Sequence, residues 1–329
     1  MFRESSASSR IHDFPFSIYQ FMSEQSDKAV EKLLASYAAT ESHVSHLDRE
    51  PLPSTAEVVR ILEALQELLF PGFFGAQGLS GERLRQNVVT KMEWLEQSLG
   101  EQIRRAFHHC GDFQPTLDKT PEEITAEFLL DLPRIRRVLA TDVQAAYEGD
   151  PAASSRDEVI SSYPSIVAVM TYRLANALHR LNVPLIPRIM TEHAHACTGI
   201  DLHPATTVGE AFFIDHGTGV VIGGTAVIGN RVKIYQGVTL GAFSFPKDKD
   251  GNLIRDTKRH PTIEDDVVIY AGATILGGNT IIGKGSAIGG NVWLTKSVPP
   301  FSKVAQDTPK LRIITPEERA AEPAWDYVI

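Results

Sequence analysis

Cysteine is scarce in this chain of 329 residues, which contains only Cys110 and Cys197. Two distant thiols cannot build a disulfide framework, and such sparing use is typical of the reducing cytoplasm. Long apolar runs are missing too. No stretch approaches the ~20 residues of a membrane span, and the first residues contain no continuous apolar segment of the secretory kind. The sequence therefore predicts a cytoplasmic protein with no membrane partner.

Positive charge is also in short supply. The 32 lysines and arginines are outnumbered by 41 aspartates and glutamates, which gives a net charge of −9. A sequence-independent grip on nucleic acid needs a basic excess, so we expect no nucleic-acid partner. A glycine-rich phosphate loop between a strand and a helix is absent as well, which argues against a nucleotide hydrolase. The length is sufficient for two domains.

The first half of the chain has a helical pattern. Residues 1–25 are polar and unpatterned and are predicted to form a disordered arm, and residues 26–199 are predicted to form a helical domain. Ser54 with Glu57, and Thr120 followed by Pro121, are helix-start signals. Apolar residues at three- and four-residue steps predict buried helix faces: Val58, Ile61, Leu62, Leu65, Leu68 and Leu69, then Leu84, Val88, Leu95, Leu99, Ile103 and Phe107, then Ile166, Val169, Leu174 and Leu178.

The composition changes after residue 199, where glycine, valine, isoleucine and threonine become frequent. Aliphatic residues then recur every six positions: Leu202, Val208 and Ile214; Ile222, Ile228, Ile234 and Leu240; Ile263, Ile269 and Ile275; Ile282, Ile288 and Leu294. A period of six suits a three-sided coil of short parallel strands in which each aliphatic side chain points inward. The prediction is an α+β protein, with the helical domain followed by a left-handed parallel β-helix over residues 200–300 and a flexible tail over 301–329.

Two interruptions of the six-residue repeat are candidate sites of chemistry, because the repeat itself needs no histidine. The first is an eight-residue step that contains Asp215 and His216. The second is the polar segment between Leu240 and Ile263, 23 positions apart, which is predicted to leave the coil as a loop and which ends in Arg259 and His260. Loops held by a rigid scaffold are frequent carriers of binding and catalytic groups.

The sequence around these interruptions resembles serine acetyltransferases. The matching motifs are Asp201-Leu202-His203-Pro204, Asp215-His216-Gly217-Thr218-Gly219, Gln236 to Gly241, Arg259-His260-Pro261 and, upstream, Asp150-Pro151-Ala152. The resemblance covers residues 150–300. It implies transfer of an acetyl group from acetyl-CoA to L-serine, which gives O-acetyl-L-serine and CoA in the first step of cysteine biosynthesis. It also implies a homo-trimer or hexamer and feedback inhibition by L-cysteine.

The resemblance and the chemistry together suggest a role for each residue. Histidine is the side chain best suited to take a proton near neutral pH, so His216 is the candidate general base, and the resemblance makes Asp201 its orienting carboxylate. Asp150 and Asp215 are then the partners of the substrate ammonium, and Arg259 with His260 the partners of its carboxylate. Small residues at matching positions are candidate contacts of the coenzyme: Gly241, Ala242, Ala271, Gly272 and Ser286.

Three alternatives remain open from the residues alone. The acceptor could be the hydroxyl of a sugar or an antibiotic, although such a molecule needs neither Arg259 nor Asp150. The chain could be an inactive scaffold that only binds a partner enzyme. A zinc site could use Glu192, His193, His195 and His203, but we expect no metal, because His193 and His195 lie before the repeat begins.

The C-terminus carries a prediction of its own. It ends in Trp325-Asp326-Tyr327-Val328-Ile329, which are apolar and aromatic residues on an otherwise acidic segment. The resemblance implies that Ile329 enters the active site of O-acetylserine sulfhydrylase, where its free carboxylate takes the place of a substrate carboxylate. The other interpretation is a frayed end that packs on its own domain.

Overall fold

A computed structural model describes residues 23–37, 44–47, 49–109, 119–254 and 257–307. The chain divides into two compact units, residues 1–50 and 51–329. The first unit contains helix α1, Glu24–Tyr37. Cys110, most of the predicted arm and the terminal residues from 308 onward lie outside the described ranges, so the arm and the tail stay predictions. Within those ranges no helix has the length and apolarity to cross a membrane.

The helical part of the second unit begins where the sequence signals place it. Its helices are α2 Thr55–Leu69, α3 Gly81–His109, α4 Pro121–Gly149, α5 Arg156–Ser162, α6 Pro164–Arg180 and α7 Ile186–Thr198. The Ser54 side chain accepts a hydrogen bond from the Glu57 backbone at 3.3 Å. Thr120 and Glu123 form a complete capping box, with Pro121 in the first turn. These caps satisfy backbone donors that have no partner inside the helix.

The predicted helix faces form one core, with an exception at the start of α3. Val58, Leu65 and Ile103 are fully buried, as are Leu174 and Leu178 from α6. The first residues of the predicted α3 face, Leu84 and Val88, are instead 38% and 39% exposed. The helical period is correct there, but this end of α3 has too little packed against it to bury the face.

The second half is a parallel β-solenoid, which confirms the fold predicted from the six-residue repeat. The strands are β1 Ile200–Leu202, β2 Thr207–Val208, β3 Phe213–Asp215, β4 Val220–Ile222, β5 Val227–Ile228, β6 Lys233–Tyr235, β7 Thr239–Gly241, β8 Thr262–Ile263, β9 Val268–Ile269, β10 Thr274–Leu276, β11 Ile281–Ile282, β12 Ala287–Ile288, β13 Trp293–Leu294 and β14 Lys303–Val304. Up to β13 every third strand joins the same sheet, because one turn contributes one strand to each side, and the last strand, β14, pairs with β12.

The solenoid therefore has three sheets, which we call A, B and C. Sheet A is β1-β4-β7-β10-β13, sheet B is β2-β5-β8-β11, and sheet C is β3-β6-β9-β12-β14. The aliphatic residues stack in register, and Leu202 pairs with Ile222, which pairs with Leu240, which pairs with Ile275. Ile222, Leu240 and Ile275 are at most 1% exposed, so the stack is a continuous apolar column.

The segment between Leu240 and Ile263 adds no turn to the solenoid. Strand β7 in sheet A is followed directly by β8 in sheet B, which is an ordinary step along one turn. Ile228 nevertheless pairs with Ile263, 35 positions later, whereas Val208 pairs with Ile228 after 20. An ordinary step from one sheet to the next takes six residues, whereas this step takes 23 positions. The residues beyond those six are therefore a loop.

A buried ion pair joins the helices to the first turn. Asp142 of α4 accepts two hydrogen bonds from Arg173 of α6, at 2.6 and 2.7 Å. Asp142 also accepts from the Phe212 backbone at 2.9 Å, and Arg173 donates to the Gly209 carbonyl at 2.8 Å. Both side chains are over nine-tenths buried. This network fixes α4 against the start of sheet C and so places the C-terminal end of α4 beside the coil.

Candidate active site

The candidate site residues lie at two different corners of the solenoid. The corner between sheets C and A carries His216, with Asp215 at the end of β3 and Asp150 at the end of α4 close by. The corner between sheets A and B carries Arg259 and His260, at the end of the long loop. We call the first group, with its neighbours Tyr163 and Lys233, the carboxylate half-site, and the second group, with Thr225, the arginine half-site.

Asp150 caps helix α4 and is held in place by two hydrogen-bond donors and by nearby charges. Its carboxylate accepts from the Tyr163 hydroxyl at 2.5 Å and from the Ala152 backbone at 2.8 Å. The Tyr163 hydrogen bond is the largest of the effects that lower the pKa of Asp150, with further contributions from the charges of Lys233 and His216. The same bond raises the pKa of Tyr163 to about 12. The carboxylate is therefore ionised at neutral pH and remains only half-buried.

Asp215 is buried, with 7% of the residue exposed, and Lys233 supplies its counter-charge. The Lys233 Nζ lies 2.9 Å from Asp215 Oδ2 and donates to the Gly149 carbonyl at 2.6 Å. It also lies over the rings of Tyr235 and Phe213, at 4.4 and 5.0 Å from their centroids. Partial burial disfavours the Lys233 charge, but hydrogen bonds to Tyr235 and Asp215 outweigh it and raise the pKa. Lys233 thus ties the end of α4 to β3.

His216 lies within the eight-residue step and is exposed to solvent. Its φ is +58°, a region that non-glycine residues rarely adopt. Other corners of the solenoid contain such residues too, so the angle alone does not mark a functional site. The extra residues of the step are the distinguishing feature, because they push the imidazole outward until its side chain is 73% exposed. Its Nε2 lies 3.8 Å from Asp215 Oδ1. His216 is also close enough to Asp150 for its charge to lower the pKa of that carboxyl.

Asp201 has different neighbours from those expected of an orienting carboxylate. It lies in β1, beside Val221, and its Oδ1 is 4.0 Å from the Arg188 guanidinium. Among the described residues, the carboxylate in contact with His216 is Asp215. The orienting role of Asp201 therefore stays a prediction, which requires the exposed imidazole of His216 to turn toward sheet A.

The arginine half-site presents an unpaired guanidinium and a neutral imidazole. Within the described ranges Arg259 makes no ion pair, and its Nη1 reaches only the Thr257 carbonyl at 3.5 Å. It borders a cavity of about 330 Å³ whose walls include Phe243 and Asn279. An unpaired guanidinium in a cavity is a ready partner for a carboxylate, which it binds with two parallel hydrogen bonds.

His260 is buried, and its hydrogen bonds define its proton position. Its Nδ1 accepts from the Thr225 backbone at 3.1 Å, so the neutral ring carries its proton on Nε2. Burial, helped by the charges of Arg259 and Lys258, lowers the pKa of His260 to about 4. The Nε2 lies against Gly223, where an added Cβ would sit only 2.0 Å from it. Glycine at this position makes room for the ring, which is a neutral donor at physiological pH.

The five predicted coenzyme contacts do not meet in one chain. Gly241 and Ala242 lie at the corner between sheets A and B, whereas Ala271 and Gly272 lie between sheets C and A. Gly272 has φ +71° in a tightly stacked corner, which explains the glycine without a ligand. Ser286 is 1% exposed, and its hydroxyl donates to the Pro299 carbonyl at 2.9 Å. All five positions stay predictions, and the geometry gives Gly272 and Ser286 a structural role as well.

The histidines near α7 form a cluster only in part. The side chains of Glu192, His195 and Asp201 bring potential ligand atoms within 4.8 Å of one another. Arg188 lies among them, pairs with Glu192 and approaches Asp201, so the cluster already contains a positive charge. His193 is instead next to Cys197, at 3.8 Å from its sulfur, and His203 lies apart in the first turn.

Sequence reasoning missed Tyr163, Thr225 and Lys233. Tyr163 is preceded by a serine pair and followed by a proline, which marks a helix boundary but gives no sign that its hydroxyl reaches Asp150. Thr225 anchors the arginine half-site, because its hydroxyl accepts from the backbones of Arg259 and His260 at 3.0 and 3.1 Å. Lys233 occupies an outward position beside inward Ile234, where a charged side chain is usually solvated.

Comparison with known proteins identifies the family. No protein-family model matches the chain. A plasmid-encoded serine acetyltransferase of Synechococcus elongatus is 50% identical over 281 residues, which cover 82% of this chain and 88% of that protein. Serine acetyltransferase of Bacillus subtilis is 43% identical over 168 residues, or 51% of this chain and 73% of that protein.

Solved structures agree with the sequence comparison. Serine acetyltransferase 1 of Entamoeba histolytica in complex with L-cysteine is 34% identical, with a TM-score of 0.64, and covers 85% of this chain and 97% of that one. Isoform 3 from the same organism, also in complex with cysteine, has a TM-score of 0.66 at 34% identity, covering 89% of this chain and 96% of that one. Both comparisons lead to acyltransferases built on a parallel β-solenoid, whose co-substrate is acetyl-CoA. Within that class, the chain belongs to the serine acetyltransferase family.

Proposed function

We propose that the chain transfers the acetyl group of acetyl-CoA to the hydroxyl of L-serine and so catalyses the first step of cysteine biosynthesis. The observation that carries this proposal is the charge pattern of the two half-sites. Asp150 is an ionised, half-exposed carboxylate, and Arg259 is an unpaired guanidinium. Together they complement the ammonium and the carboxylate of an amino acid, and His216 is exposed beside the first of them.

His216 is the general base in this proposal. As the serine oxygen attacks the thioester carbonyl, the imidazole takes the hydroxyl proton and an oxyanion forms. When the carbon–sulfur bond breaks, the imidazolium returns the proton to the departing thiolate, which leaves as CoA. A base of this kind contributes roughly 10²–10⁴ to the rate. Asp201 orients the imidazole once His216 has turned toward sheet A, since a carboxylate on one ring nitrogen selects the tautomer that leaves the other free.

Two neighbouring copies are needed to complete the site. The half-sites lie on different corners, and one side of the coil separates them by roughly 15 Å, the length of a five-residue strand. Serine is far shorter than this distance. In a three-fold trimer the corner between sheets C and A of one copy faces the corner between sheets A and B of the next. A trimer, or a hexamer of two trimers, therefore brings the carboxylate and arginine half-sites together, along with the separated coenzyme positions.

The activity is tested by thiol release from acetyl-CoA with serine, threonine, homoserine and hexoses as acceptors. We expect serine to be preferred, and His216→Ala to lower turnover by 10²–10⁴ with little change in coenzyme affinity. Arg259→Ala should raise the KM for serine and leave a sugar acceptor unaffected. Preference for a hexose, or no thiol release with any acceptor, would favour the sugar acetyltransferase or the inactive scaffold.

L-Cysteine is the proposed feedback inhibitor, at the same two half-sites. It differs from L-serine in a thiol for a hydroxyl, so Asp150, Asp215, Arg259 and His260 can bind it equally well. The cysteine complexes of the Entamoeba histolytica enzymes support this proposal for a chain of the same fold. Inhibition should be competitive with serine and should weaken in Arg259→Ala. Inhibition undiminished in that variant would indicate a separate regulatory site.

The tail provides the proposed contact with O-acetylserine sulfhydrylase, through Ile329. These residues lie outside the described ranges, so the proposal rests on the sequence and the family resemblance. A pull-down with the full chain and with a chain lacking Ile329 tests it. Binding and inhibition of the partner should be lost with the terminal residue, and free O-acetylserine should compete. Equal binding by both chains would exclude this role.

A further inference from the structure

A basic cavity lies between the helices and the first turn of the solenoid, away from both half-sites. Its volume is about 550 Å³, within the usual range for small-molecule sites. Three arginines line it, Arg134 from α4 and Arg173 and Arg180 from α6, and no aspartate or glutamate does. His179 also lines it, but burial lowers the pKa of this histidine, so it adds no charge at neutral pH. Arg173 is paired with Asp142 and Arg134 with Asp131, so Arg180 is the arginine of this cavity whose charge has no acidic partner among the described residues.

The hydrogen-bond acceptors around the basic cavity are already occupied by its own side chains. The Tyr172 hydroxyl donates to the Thr206 carbonyl at 2.5 Å, and Asn176 donates to the Pro204 carbonyl at 2.8 Å. Arg173 donates to the Gly209 carbonyl, and its own charge is balanced by Asp142. These carbonyls of the first turn already accept hydrogen bonds from the cavity's own side chains, so they offer little to the remaining guanidinium groups.

Several hydrogen-bond donors of the cavity lining, in contrast, have no partner among the described residues. Arg180 makes no ion pair or hydrogen bond within the described ranges. Arg134 uses Nε and Nη2 on Asp131, at 2.7 and 2.5 Å, which leaves Nη1 available. Thr207 in β2 borders the same space with an exposed side chain. Two guanidinium groups on adjacent helices, together with a hydroxyl, match the oxygens of a tetrahedral anion, which arginine binds with parallel hydrogen bonds.

We propose that the basic cavity is a binding site for a phosphate-type oxyanion, free or as a phosphate monoester. Arg180 and Arg134 hold the anion, while Arg173, whose charge is balanced by Asp142, forms part of the cavity wall. None of the residues predicted to bind serine or coenzyme lines the cavity. The site is thus separate from the proposed active site, and the proposal does not depend on that assignment.

The test is calorimetric titration of the full chain with inorganic phosphate, with sulfate and with a nucleoside monophosphate, at constant ionic strength. Arg180→Gln and Arg134→Gln should each weaken phosphate binding about tenfold, the effect of one charge-assisted contact. Arg137→Gln is the matched control. Arg137 is exposed on α4, the helix that carries Arg134, and it has the same charge but lies outside the cavity. Tighter binding of the monophosphate than of phosphate would identify an ester as the ligand, and equal binding would identify the free ion.

Three results would overturn the proposal. Equal weakening in Arg137→Gln and Arg180→Gln would show a diffuse effect of net charge. Failure of phosphate, sulfate and the monophosphate to bind the unaltered chain would show that the cavity has another role. A raised KM for acetyl-CoA in Arg180→Gln would mean that the arginines hold the phosphates of the coenzyme. Circular dichroism and thermal unfolding of each variant establish that lost binding does not reflect lost folding.

Discussion

Two histidines, the buried His260 and the half-buried His203, should make the protein sensitive to mild acid. Burial is the main cause that lowers the pKa of His260 and of His203 to about 4, from an ordinary value of 6.5. In the unfolded chain both regain ordinary values. Below pH 6.5 the unfolded state therefore binds more protons than the folded state, so acid favours unfolding. The stabilising contribution is fully present above pH 6.5 and is lost progressively as the pH falls toward 4.

The expected loss follows from these values. For a group that titrates near 4 when folded and near 6.5 when unfolded, the free energy of unfolding falls by about 2 kcal/mol between pH 7 and pH 5. The two histidines together should cost at most about 4 kcal/mol, because solvent screens rings that are only partly desolvated and because the two charges influence each other. His179, whose pKa burial also lowers, changes in the same direction. Carboxylates with lowered pKa, such as Asp150 and Asp266, lose their contribution only at lower pH. Burial raises the pKa of Asp142, which changes stability in the opposite direction, so variants of the histidines are needed to isolate their part.

The measurement is chemical denaturation at fixed protein concentration from pH 8 to pH 5, because assembly would make the midpoint depend on concentration. His203→Gln and His260→Gln should each reduce the pH-dependent part by about 2 kcal/mol. His108→Gln, a change at an exposed residue in the last turn of α3, is the control and should leave the slope unaltered. Hydrogen–deuterium exchange at the imidazole C2 carbons reports each pKa independently.

One result would refute this reasoning directly. Suppose that His260→Gln keeps the same pH slope as the unaltered protein, and that the His260 imidazole of the unaltered, folded protein exchanges with a midpoint near 6.5. The ring would then be solvated. The tautomer assigned to His260, and its role as a neutral donor to a substrate carboxylate, would fail with it.

Three further predictions concern single substitutions. Asp142→Asn leaves a buried arginine without its counter-charge and should lower the free energy of unfolding by about 3–5 kcal/mol, measured by denaturation; a loss below 1 kcal/mol would contradict the burial of the pair. Gly223→Ala places a methyl group against the ring of His260, so the KM for serine should rise while the KM for acetyl-CoA stays constant in steady-state kinetics. Lys233→Met removes the counter-charge that holds Asp215 in place and should raise the KM for serine about tenfold, the effect of one charge-assisted hydrogen bond; an unchanged KM would exclude a positioning role.

The scaffold was predictable because one period defines it. A repeat of six places Leu202, Ile222, Leu240 and Ile275 on one side of the coil, and the structure pairs them in that order. The interruptions were visible for the same reason, since a strict period makes any departure from it conspicuous. The helix starts at Ser54 and Thr120 were readable because capping is local in sequence.

The details of the site were not predictable from the sequence. Tyr163 reaches Asp150 across 13 positions, and Lys233 reaches the Gly149 carbonyl across 84, so both contacts depend on tertiary packing. Neither side chain breaks a local pattern that could have drawn attention to it. The spacing of apolar residues predicts which face of a helix is apolar, but it does not reveal whether another element covers that face. Leu84 at the start of α3 is an example, because it has the predicted spacing and is nevertheless exposed.

The length of the loop between β7 and β8 does not affect the solenoid beneath it. The strand pairing resumes with Ile263 on Ile228, just as if the intervening residues were absent. Insertions or deletions within residues 242–257 can therefore reshape the rim around Arg259 without respecifying the core. Variation among acceptors or inhibitors can arise here at small cost to folding, and the same corner is a suitable point for grafting a foreign segment into a stable solenoid.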